Sequence, residues 1–114
     1  EAPAWLLDAA SPEDCIRAEA EQEAGYAVRQ PRQVFEAYMS PGSVTEKLHF
    51  FAAEYEAADR VAQGGGHEHE GEDIEVLEMT LPEALEHIKT GAIQDGKTIM
   101  LLQHAALVGL KNLA

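Results

Sequence analysis

The chain alternates between helix-like and strand-like spacing of its apolar positions. Over residues 12–24, the small or apolar Cys15, Ile16, Ala18 and Ala20 are interleaved with Glu19, Glu21, Gln22 and Glu23. This spacing predicts a modestly amphipathic helix with a dense acidic side. Ser11 is a favourable N-cap, Pro12 suits the first helical position, Asp14 sits where a capping-box acid reaches back, and Gly25 supplies the stop. Residues 33–39 alternate apolar and polar, and residues 47–55 are richer in aromatics, so both read as strands. Between them Ser40-Pro41-Gly42-Ser43 is turn chemistry, which makes the pair a hairpin.

Residues 60–73 read as a long polar loop whose glycine-rich stretch, Gly64 to Gly71, has no period. Residues 74–79 alternate again and predict a third strand. Thr80-Leu81-Pro82-Glu83 opens a helix that Thr90-Gly91 closes, and residues 97–110 predict a last, strongly apolar helix. Helix, hairpin, strand, helix and helix make a mixed α/β or α+β domain without internal repeats.

The composition narrows the function classes. A length of 114 residues allows one domain, residues 1–114, and 46% hydrophobic with 25% charged residues is ordinary for a globular chain. With 21 acidic against 8 basic side chains, the formal charge of -13 argues against electrostatic binding to nucleic acid or to an anionic membrane. No apolar run approaches the roughly 20 residues of a membrane span, and no signal-peptide pattern is present. Cys15 is the single cysteine, so no internal disulfide forms and a cytoplasmic location is the expectation. The sequence opens at Glu1 directly on an apolar stretch, which predicts a domain shortened at its N-terminus.

Candidate chemistry centres on Glu19 and Glu23. Four residues apart on a helix, their carboxylates share a face about 6 Å apart at Cβ and repel unless something positive lies between them. A divalent cation such as Mg²⁺, held by one or two carboxylates plus waters and substrate phosphates, satisfies that pair. The plain alternative is a solvated acidic face on an acidic protein. His67-Glu68-His69-Glu70 offers imidazoles that suit Zn or Ni, against the reading of a solvated acidic loop. Cys15 reads as a small buried apolar group, and His49, His87 and His104 as core-edge or surface residues.

Taken together, Ala4-Trp5-Leu6-Leu7-Asp8 and Glu19-Ala20-Glu21-Gln22-Glu23-Ala24-Gly25-Tyr26 resemble the Nudix box, G-x5-E-x7-R-E-U-x-E-E-x-G-U with U aliphatic. Residues 38–46 (Tyr-Met-Ser-Pro-Gly-Ser-Val-Thr-Glu), the glycine-rich acidic loop and Asp95-Gly96-Lys97-Thr98 resemble one branch, the ADP-ribose and GDP-mannose pyrophosphatase type of Nudix hydrolase. The resemblance implies a Nudix-like mixed sheet with flanking helices, the box occupying about residues 1–26. It also implies Mg²⁺- or Mn²⁺-dependent hydrolysis of a nucleoside diphosphate linked to another group, such as ADP-ribose or a nucleotide sugar. By the same resemblance Glu19, Glu23 and the Ala4 carbonyl bind metal, and Glu23 and Glu70 are catalytic. Glu68 and Glu72 are substitutes for Glu70, and Ser40, Gly42, Thr45 and Glu46 contact substrate.

Several box positions depart from the pattern. Trp5 replaces the first glycine, Ser11 the early glutamate, Ala18 the arginine, and Gln22 the first glutamate of the final pair. The branch has strands before the box that complete the sheet; without them, exposed edges and an uncovered apolar face predict a homodimer or higher oligomer. The alternative reading of the same departures is a catalytically inactive Nudix domain serving as a binding or oligomerisation module.

Overall fold

The computed structural model describes residues 11–28, 30–40, 42, 47–61 and 75–113. Within them the fold is α+β: helices accompany a two-stranded antiparallel sheet.

Helix α1, Pro12–Glu19, starts as its sequence dictates. Ser11 Oγ accepts the Asp14 N–H at 3.2 Å, and its carbonyl accepts the Cys15 N–H at 3.0 Å. The helix does not continue to Ala24 in α geometry, because Ala20–Ala24 widens into a π-turn. Gly25 ends it in the left-handed region at φ 80°, where a side chain would be strained. Cys15 and Glu19, one turn apart, are both buried, whereas Ala18 is exposed. The inward stripe of α1 thus includes a carboxylate, in place of the purely outward acidic side that composition predicts.

Strands β1, Arg32–Tyr38, and β2, Lys47–Ala52, form the predicted hairpin. Beyond Ala52 the backbone leaves the ladder, so Tyr55 lies outside β2. A bulge between Gln33 and Phe35 shifts the register by one residue. It brings Gln33 to the polar face, where its amide donates to Glu36 Oε1 at 2.8 Å. Glu36 also pairs with Lys47 at 2.8 Å, and His49 Nδ1 lies 3.3 Å from Glu36 and 3.2 Å from Gln33 Oε1. On the opposite face Phe35 stacks on Phe50 at 4.3 Å, and the His104 ring meets Phe35 edge-on at 5.0 Å.

Helices α2, Leu81–Thr90, and α3, Gly96–Val108, follow as a contacting pair joined by a short loop. Thr80 Oγ1 caps α2 by accepting the Glu83 N–H at 3.2 Å, and Gly91, at φ 87°, ends it. Asp95 caps α3, accepting from the Thr98 N–H at 2.9 Å and the Thr98 hydroxyl at 2.8 Å, with Lys97 Nζ at 3.0 Å. Burial raises the Asp95 carboxyl, but these donors outweigh it and bring its pKa down to about 2.

The segment predicted as a third strand behaves otherwise. Residues 75–79 run without strand pairing, with Val76, Leu77 and Met79 exposed. Alternation prepares a segment for a sheet, but only a neighbouring ladder makes it a strand, and no described residue provides one. The core among the described residues is correspondingly small: Cys15, Tyr26, Phe50, Ala84 and Ala105 are its buried apolar members. Among the described residues no helix is long and apolar enough to cross a membrane.

Candidate functional site

The acidic helix carries the candidate site. Glu19 closes α1 and is only 2% exposed, while Glu23, inside the π-turn, is half-buried beside half-buried Gln22 and exposed Glu21. The two carboxylates therefore come from one continuous helical segment but from turns of different pitch. Gly25 shows how the pitch changes. Its N–H is shared between the carbonyls of Glu21 at 3.0 Å and Ala20 at 3.1 Å, one an α-type and the other a π-type partner.

The end of this segment is held from outside. The Gly25 carbonyl accepts the Val61 N–H at 2.8 Å, and the Ala27 N–H donates to the Asp59 carbonyl at 2.9 Å. Tyr26 and Arg60 form an isolated antiparallel bridge, with the Arg60 guanidinium 5.8 Å from the Tyr26 ring. Buried Asp59 ends a 3-10 turn, Ala57–Asp59, and its carboxylate accepts the Glu56 N–H at 2.8 Å. Tyr55 packs its ring 4.5 Å from that of Tyr26 and donates its hydroxyl to Glu78 Oε2 at 2.6 Å. That bond, with burial behind it, pushes the Tyr55 phenol up to about 12, so it stays a proton donor throughout the neutral range.

The remaining expected site residues separate into two groups. Ser40 and Gly42 are described, lie at the turn end of the hairpin, between β1 and β2, and are exposed. A Cβ at Gly42 would meet nothing within 4 Å, so close packing does not require glycine there. Ala4, Thr45, Glu46 and Glu70 lie outside the described residues, as do Glu68, Glu72, His67 and His69. Among the described residues no cluster of three or more His, Cys, Asp or Glu side chains gathers to hold a metal ion. Glu19 and Glu23 nevertheless suit a hard divalent cation of the Mg²⁺ type, which takes one or two carboxylates and completes its octahedron with water and phosphate oxygens.

Sequence reasoning did not single out the groups around the helix end. Tyr55 reads there as sheet core with Phe50 and Phe51, and Glu78 as one polar position of a strand. The available signal was an aromatic residue placed immediately after the helix-stopping glycine, which needs an apolar partner from elsewhere in the chain.

Comparison with known proteins adds a functional direction. No family model matches the chain. It is 60% identical over 109 residues to a GDP-mannose pyrophosphatase of Pectobacterium atrosepticum, covering 96% of this chain and 55% of that protein. A GDP-mannose pyrophosphatase of Cronobacter sakazakii is 54% identical over 112 residues, covering 98% of this chain and 58% of its own length. One from Escherichia coli is 57% identical over 109 residues, covering 96% and 56%. The chain thus spans somewhat more than half the length of the curated relatives it matches.

Proposed function

We propose that the chain, as a single Nudix-like domain over residues 1–114, hydrolyses a nucleoside diphosphate linked to a sugar, with GDP-mannose the leading substrate. The observation that carries this reading is the identity of 54–60% with proteins named GDP-mannose pyrophosphatase over most of the chain. The acidic helix supports it chemically, because Glu19 and Glu23 are the pair that the resemblance assigns to metal.

In this proposal Glu19 and Glu23, with the carbonyl of Ala4, hold Mg²⁺ or Mn²⁺. When bound, the cation supplies charge neutralisation at the diphosphate oxygens. Glu70 orients a water molecule toward phosphorus. The water oxygen forms the new P–O bond as the bridging P–O bond breaks, so that GDP-mannose yields GMP and mannose 1-phosphate. Ser40, Gly42, Thr45 and Glu46 contact the substrate from the hairpin end. The location is cytoplasmic, and the working unit is a homodimer. The solvent-exposed Leu77, Leu107 and Leu110 support association, since isolated chains bury such side chains on pairing.

A substrate panel tests the reading. Incubated with Mg²⁺ or Mn²⁺, the protein is expected to release GMP from GDP-mannose faster than AMP from ADP-ribose. Preference for ADP-ribose would move the assignment to the other arm of the same branch. Absence of nucleotide release from folded protein would favour the inactive binding or oligomerisation module, for which Ala18 and Gln22 already speak. Sedimentation at several concentrations reports the dimer, and a concentration-independent monomer would remove that part of the proposal.

A further inference from the structure

We infer that Tyr55 is a positioning residue for the acidic helix, bracing its last turn against the segment that carries Glu78; this rests on the reading that Glu19 and Glu23 hold a divalent cation. Gly25 closes the turn that carries Glu23. Its N–H is balanced between carbonyls at 3.0 and 3.1 Å, so the turn carrying Glu23 lies between an α and a π hydrogen-bonding pattern. The two patterns differ in how the helix is wound, and therefore in how Glu23 is set relative to Glu19. The shared Gly25 N–H belongs to both patterns.

The deciding contacts come from residues 55–61. Val61 and Asp59 fix the backbone on either side of Tyr26, and the Tyr55 ring covers the Tyr26 ring. Tyr55 is itself 46% exposed, too open for packing alone to fix its ring. Its hydroxyl supplies the missing constraint by donating to Glu78, 23 residues away, at 2.6 Å. A phenol bonded to a carboxylate at that distance is a strong, charge-assisted pair. The chain of contact from Glu78 through Tyr55 and Tyr26 to Gly25 ends on the turn that holds Glu23.

The test is Mn²⁺ binding to substrate-free protein, read by the spin-resonance signal of free Mn²⁺. The comparison takes wild type, Tyr55→Phe, Glu78→Ala, the double variant, Glu23→Gln, and Tyr38→Phe on the outer face of the hairpin. Tyr55→Phe and Glu78→Ala are each expected to weaken binding about tenfold, the scale of groups that orient metal ligands. The double variant should lose no more than either single one, since both remove the same bond. Tyr38→Phe should bind as wild type does. A lower melting temperature with unchanged Mn²⁺ affinity in Tyr55→Phe would show a purely structural role and overturn the inference while Glu23→Gln still weakens binding. Unchanged binding in Glu23→Gln would instead overturn the metal reading, and the inference with it.

Discussion

Glycine at position 25 carries a conformational requirement that its neighbours impose. At φ 80° it lets the chain leave the π-turn and, within one residue, join the backbone of Val61. An L-residue in the left-handed region costs roughly 1–2 kcal/mol. Gly25→Ala should therefore lower unfolding stability by about that amount in a urea titration. Gly42→Ala, where a Cβ meets nothing, should stay within about 0.5 kcal/mol of wild type. Equal losses at the two positions would contradict the assignment. The helix-stopping role of Gly25 was legible in the sequence because capping is a local property. The inward turn of Glu19 was not, since its burial depends on what α1 packs against rather than on the residues of α1.

At the scale of elements, the helix ends are the most legible features. Ser11, Thr80 and Asp95 each cap the element that follows through an N–H three residues on, as side chains of that length do wherever they meet a free helix start. The Asp95 cap also carries a pH signature. Its pKa falls from the ordinary 3.8 to about 2 in the folded protein, so its stabilisation is complete above pH 3.8 and is lost as pH drops toward 2. Asp95→Asn keeps a capping oxygen but has no proton to bind. It should leave stability at neutral pH within about 1 kcal/mol of wild type and flatten the acid limb of the melting-temperature profile between about pH 4 and 2. An unchanged acid limb would contradict that role. Elements that depend on distant partners were less legible. The hairpin followed from its turn chemistry, but not the bulge at Val34, and residues 75–79 have the alternation of a strand without a ladder to join.

At the scale of the molecule, a formal charge of -13 and an acidic helix braced from residues 55–61 frame the proposed chemistry. The acid-rich composition indicates which partners are repelled, and a diphosphate is among them unless a cation intervenes. That makes metal dependence the point on which the account turns. The most direct measurement is the rate of GMP release from GDP-mannose as Mg²⁺ is titrated, for wild type, Glu19→Gln and Glu23→Gln. Release should rise from zero with Mg²⁺ in wild type and fall by about a hundredfold or more in each variant at the same Mg²⁺, beyond the 10–100-fold typical of groups that only orient a ligand. Release that proceeds without divalent metal, or that both variants retain, would contradict it.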